Sequence, residues 1–135
     1  MRQLLVNRII TPDGTELISK HRHDCVIYID KNGLEYMNDG GNDYLRRNIH
    51  KEHPYTEASL YSDSPFEELR ECIYRGGRGK DGKQPLVHVK LSEMNNNWLI
   101  ATIEYEKELR PNNIYLPYYK MEVEYRGKHN ISIGD

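Results

Sequence analysis

Phenylalanine and tryptophan are nearly absent from this sequence: one of each in 135 residues. Cysteine is scarce, and Cys25 and Cys72 lie far apart in the chain. Two distant cysteines exclude a disulfide-dense scaffold, so reduced thiols are expected. A basic excess is also missing. Lys and Arg total 19 against 21 for Asp and Glu, a net charge of −2. Proteins that coat duplexes displace counterions with clustered cations, so nucleic acid is not an expected partner, although a local basic pocket is compatible with this balance. No apolar run approaches the length of a membrane span, and the start from Met1 to Arg8 does not read as a secretory signal. Neither a membrane nor export is expected.

What is abundant is tyrosine, with 11 residues. Its ring is apolar and its tip polar, which suits half-buried interfaces and stacking pockets better than a dry core. Hydrophobic residues make up only 37% of the chain and charged residues 30%. The length fits one domain spanning 1–135. An apolar share this lean makes a homo-oligomer the expected state.

The pattern predicts an α+β fold, with an N-terminal antiparallel β-sheet of hairpins in a meander followed by C-terminal helices. Leu4 to Ile10 is a branched, apolar-rich run ended by the turn chemistry of Thr11-Pro12-Asp13-Gly14. Thr15 to Ser19 returns. Cys25 to Ile29 and Leu34 to Met37 flank Asp30-Lys31-Asn32-Gly33, a strong short-range hairpin signal. Asp43 to Asn48 reads as a further strand. Ser64-Pro65-Phe66-Glu67 then has the cap, proline and acidic residue of a helix start, predicting a helix over 65–75 stopped by Gly76-Gly77. Leu86 to Leu91 reads as a short strand. Two more helices are expected near 95–109, capped by Ser92, and over 117–126, stopped by Gly127. In the last helix Tyr118, Met121 and Tyr125 recur at helical spacing, as a face that a partner copy would cover.

Three clusters can carry chemistry. His21-Arg22-His23-Asp24-Cys25 is the densest set of metal-ligand types, but a zinc site needs three or four ligands at defined spacing, and exposed imidazoles at a strand entry are the expected reading. Neither metal nor other cofactor is expected. The loop Gly76-Gly77-Arg78-Gly79-Lys80-Asp81-Gly82-Lys83 has the glycines and cations of a phosphate cradle without P-loop spacing. The stretch Asn112 to Lys120 mixes amides that read base edges, phenols that stack on bases and a cation. Sequence signatures of a nucleophile elbow, a metalloprotease helix or a Walker loop do not occur.

The ordered set Thr11-Pro12-Asp13-Gly14-Thr15, His23-Asp24, Asp30-Lys31-Asn32-Gly33, Tyr36-Met37, Asp39-Gly40-Gly41, Tyr44-Leu45-Arg46-Arg47, Gly79-Lys80-Asp81-Gly82-Lys83 and Tyr125-Arg126 resembles a small protein of phage and prophage genomes, and within that group the phage anti-Thoeris sponge family. Cys25 and Asn42 depart from the aromatic and apolar residues expected beside these motifs. The resemblance implies a non-enzymatic protein in the cytoplasm of the infected bacterial host. It would bind cyclic nucleotide second messengers and hold them without cleavage: a cyclic ADP-ribose isomer made by TIR-domain enzymes, and in some members cyclic di- or trinucleotides at separate sites. Thoeris defence, and CBASS-type defence with it, would thereby be blocked.

Such a ligand needs cations for its pyrophosphate and a ring for its adenine. Residue chemistry offers Arg126, Lys120 and Arg110 for the phosphates, Tyr115, Tyr119 and Trp98 for the base, and Asn112 and Asn113 for its edge. A second anion site is expected at Arg75, Arg78, Lys80 and Lys83. Two other readings compete: an enzyme that degrades such signals with His21, His23 and Asp24, and an accessory protein that binds a host protein through a Tyr-rich surface.

Overall fold

A computed structural model describes residues 2–134. The fold is α+β, with an N-terminal β-sheet region followed by C-terminal helices. The chain forms two compact units, Met1–Leu69 and Arg70–Asp135.

In the first unit the strands are β1 (Leu4–Ile10), β2 (Glu16–Ser19), β3 (Val26–Ile29), β4 (Glu35–Asp39), β5 (Arg46–Arg47), β6 (Thr56–Glu57) and β7 (Leu60–Tyr61), followed by one helical turn, α1 (Phe66–Leu69). The turn motifs bend the chain where the sequence places them, and the branched runs between them pair. The expected single meander is instead two small sheets. One has the order β2-β1-β6, with β7 also on β1; the other is β3-β4-β5. All these pairings are antiparallel. The break falls between β2 and β3, where Ser19 Oγ donates to the Asp24 carbonyl at 2.6 Å and holds the turn in place of a ladder. Ile9, Leu17 and Tyr36 form a core cluster, joined by Val26, Tyr28, Leu34 and Tyr55. The strand expected over 43–48 shrinks to the two residues of β5.

Polar groups fill what apolar residues do not. Asn7 and Asn38 are fully buried. The Asn38 amide donates to the carbonyls of Asn7 and Leu17, and Asn7 donates to that of Asp39. Arg47 closes the network, donating to Asn38 Oδ1 (2.9 Å), Asn7 Oδ1 (2.8 Å), Ser59 Oγ (3.1 Å) and the Glu57 carboxylate.

The second unit holds the hairpin β8 (Tyr74–Gly77) and β9 (Val87–Lys90), a 3₁₀ turn (Leu91–Glu93), α2 (Asn96–Leu109) and α3 (Leu116–His129). Here the sequence misleads in three places. The helix expected over 65–75 ends at Leu69, because Tyr74 to Gly77 pair with Lys90 to Val87. Strand pairing outweighs the capping signal, and Ser64 Oγ accepts from the Tyr61 N–H instead. Asn95, not Ser92, caps α2: its Oδ1 accepts the Trp98 N–H at 2.7 Å, while Ser92 Oγ is buried on Glu71. α3 runs through Gly127 and ends at Asn130, whose φ of 55° supplies the left-handed cap.

The inward face of α3 also differs. Leu116, Tyr119, Glu122 and Arg126 are buried, whereas Met121 is exposed and Tyr118 and Tyr125 are only half-buried. A buried carboxylate is costly unless paired and hydrogen-bonded, and Glu122 is. Arg70 grips it with two bonds of 2.8 Å, and Arg126 Nε adds a third at 2.7 Å. Leu91, Met94, Leu99, Ile103 and Leu116 supply apolar burial in this unit.

Candidate functional site

A cleft of about 520 Å³ lies in the second unit, lined by Gly77, Arg78, Gly79, Lys80, Val87, Asn95, Asn97, Trp98 and Ala101. Two elements build it. The β8–β9 hairpin ends in a tight loop, where Gln84 N–H donates to the Arg78 carbonyl (2.9 Å) and Lys83 N–H to Asp81 Oδ1 (2.9 Å). Gly79 sits at φ 76°, and a Cβ there would lie 2.7 Å from Gln84 Cγ, so this bend requires glycine. The first turn of α2 provides the other wall. With Asn95 as its cap, the helix presents Asn97, Trp98 and Ala101 toward the cleft, at one-turn spacing.

Gly77 is the joint between the two walls. A Cβ there would lie 2.6 Å from Trp98 Cζ2, so only glycine lets the indole lie against the strand. Trp98 is thereby held half-buried with part of its ring in the cleft. Arg78 and Lys80 bring positive charge to the same cavity. The Arg78 guanidinium makes no hydrogen bond or ion pair with the described residues, so its donors remain for a ligand. The loop amides and the α2 N-terminus add partial positive charge.

The structure regroups the residues predicted from sequence. Trp98, expected beside the terminal helix, joins Arg78 and Lys80 instead. Lys83 is exposed in the same loop but does not line the cleft. Arg75 lies outside it, bound to Glu106 Oε1 at 2.8 Å, with its guanidinium carbon 5.7 Å from the Tyr119 ring centre.

The terminal-helix set is divided between interior and surface. Arg126 is 5% exposed and donates to Glu122, to Asn96 Oδ1 (2.8 Å) and to the Leu91 carbonyl (3.0 Å). A phosphate would have to displace these partners, so the role expected of Arg126 gives way to a structural one. Tyr119 is buried, and burial raises the phenol pKa of both Tyr115 and Tyr119, against the Arg75 contact in the second case. Asn113 Oδ1 accepts the Tyr115 N–H at 2.9 Å. Arg110 Nε lies 3.4 Å from Glu106 Oε2. Lys120 and Asn112 are exposed. None of these seven residues lines the cleft.

Sequence reasoning missed Asn97, Val87, Ala101 and the packing role of Gly77. The first three carry no distinctive chemistry; the helical spacing of Asn97, Trp98 and Ala101 was the available signal. Around His21 and His23, Asp24 Oδ2 accepts the Lys20 N–H, and no group of three His, Cys, Asp or Glu side chains is placed to hold a metal among the described residues. No helix among them is long and apolar enough to cross a membrane.

Comparison with protein-family models, with curated proteins and with solved structures gives no match to this chain. The functional reading therefore rests on the cleft and on the sequence motifs.

Proposed function

We propose that this protein is a non-catalytic binder of cyclic nucleotide signals, with the cleft of the second unit as its binding site. The observation that carries the reading is the placement of Trp98 beside Arg78 and Lys80. A nucleotide needs a ring to stack its base and cations for its phosphates, within reach of each other. Stacking on an aromatic contributes about 1–3 kcal/mol per base, and a hydrogen bond to a charged group about 1.5–3 kcal/mol. One of each gives appreciable affinity before any further contact. The volume also falls in the range of small-ligand sites. The motif resemblance supports a sponge that holds a cyclic ADP-ribose isomer or a cyclic oligonucleotide, encoded by a phage and acting as a homo-oligomer in the cytoplasm of its host.

The test is depletion and return. The protein is incubated with a cyclic ADP-ribose isomer or with a cyclic di- or trinucleotide, filtered, then heated, and both fractions are analysed by chromatography. The proposal expects ligand to leave the filtrate and come back chemically unchanged on heating. A converted product would replace it with an enzymatic reading. No depletion of any of these ligands would refute nucleotide binding altogether.

A further inference from the structure

The β3-β4-β5 sheet has two unlike edges. β5 is two residues long and both are arginine, which is how natural sheets discourage pairing. β3 is the other edge and has no such guard. It pairs with β4 alone, in an unbroken register from Val26↔Asn38 to Ile29↔Glu35. The Asp30 N–H donates to the Leu34 carbonyl at 3.0 Å, which sets the phase of this hairpin. Tyr28 and Val26 direct their backbone groups toward β4, and Cys25, Ile27 and Ile29 turn theirs outward. Those outward groups have no hydrogen-bond partner among the described residues. The side chains at the same positions are exposed as well, Ile27 by 55% and Ile29 by 61%, and Cys25 is an exposed free thiol.

We infer that β3 pairs with β3 of a second copy of this chain, antiparallel, about a two-fold axis through Ile27. The edge is self-complementary about that point. Ile27 meets Ile27 of the partner subunit, and Cys25 meets Ile29 of the partner subunit, so the outward positions exchange about six backbone hydrogen bonds. Each pairing is uncharged, and the exposed isoleucines cover one another on one face of a continuous sheet. The flanks add no charge complementarity. Arg22-His23-Asp24 runs antiparallel to the partner's Asp30, Lys31 and Asn32, each segment carrying one positive and one negative side chain. Asp24 and the partner's Asp30 oppose each other, but each carboxylate already accepts backbone N–H groups in its own turn. This edge belongs to the first unit, whereas the α3 face that the sequence suggested for assembly belongs to the second.

The register supplies its own test. Residues opposite each other in a hydrogen-bonded pair have Cα atoms about 5.5 Å apart, within disulfide range. Ile29→Cys should therefore give a dimer cross-linked to the native Cys25 under mild oxidation, reverted by reductant and abolished by adding Cys25→Ser. The parent should not cross-link through Cys25, whose two copies lie about 13 Å apart along the strands. Light scattering of the parent should give twice the mass of one chain. Ile27→Lys, which sets two ammonium groups together on the axis, should return a single-chain mass with an unchanged circular dichroism spectrum. A parent of single-chain mass at tens of micromolar overturns the inference. So does a dimer indifferent to Ile27→Lys, or an Ile29→Cys variant that does not cross-link through Cys25.

Discussion

The two units solve the same shortage of apolar residues with differently built polar centres. In the first, the Arg47 side chain is buried among the neutral oxygens of Asn7, Asn38 and Ser59 and the half-exposed Glu57, and the buried Asp39 pairs with the exposed Arg46. In the second, two carboxylates sit at the centre, with the buried Arg70 and Arg126 beside one of them. Glu122 and Glu106 are both 0% exposed, Glu122 held by Arg70 and Arg126 and Glu106 by Arg75 and Arg110. A guanidinium is weakly hydrated and offers several donors to spread over neutral acceptors, so one arginine suffices in the first unit. A carboxylate is acceptor-only and needs donors brought to it, so each glutamate recruits two arginines. The second unit therefore uses Arg70, Arg75 and Arg126 in its interior, and the cations that line the cleft, Arg78 and Lys80, come from the β8–β9 loop.

Breaking the anion centre should have the largest effect. Glu122→Gln leaves two buried guanidinium groups without their counterion, and loss of one partner of a buried pair costs about 3–5 kcal/mol. Against a typical domain stability of about 5–15 kcal/mol, urea unfolding should show the second unit strongly destabilised. Arg47→Met should cost the first unit less, about 2–3 kcal/mol, because the acceptors it strands are mostly neutral. Equal losses in the two variants would remove the distinction.

Acid sharpens the contrast. Burial pushes the Glu106 carboxyl up, but hydrogen bonds from Arg75 and Asn113 and the charges of Arg75 and Arg110 outweigh it and hold the group below its ordinary value of 4.5. A depressed carboxyl contributes stability that is complete above the unfolded value and lost as pH falls through the folded one. The stability of the parent should therefore decline below about pH 4.5, and Glu106→Gln should flatten that decline. An unaltered acid profile would show that Glu106 is not charged in the folded protein. The smallest effect on stability belongs to the cleft: Arg78→Ala with Lys80→Ala should stay within about 0.5 kcal/mol, the usual range for substitutions at exposed surface positions.

Legibility in the sequence followed locality. β1 to β4 were readable because alternation and turn residues act within a few positions of each other. The two-residue strands β6 and β7 lie in a polar run without period, and only their pairing with β1 defines them. The middle helix was over-read because Ser64 and Glu67 are a valid start signal, whereas its early end depends on pairing with residues 87–90. The cleft was half readable. Its loop declared itself by composition, but nothing local places Trp98 against Gly77; that contact exists only once β8 and α2 are packed. Arg126 shows the converse, since a cation on a terminal helix looks available until its neighbours Glu122, Asn96 and Leu91 are in place.

Trp98 is the single tryptophan of the chain, so its fluorescence reports the proposed site alone. The decisive measurement is a titration of Trp98 emission with a cyclic ADP-ribose isomer or a cyclic dinucleotide, on the parent and on the folded Arg78→Ala, Lys80→Ala variant. The account predicts saturable quenching in the parent and an affinity lower by roughly two to four decades in the variant, the worth of two charge-assisted contacts. Emission that ignores both ligands, or a variant that binds as tightly as the parent, would contradict it.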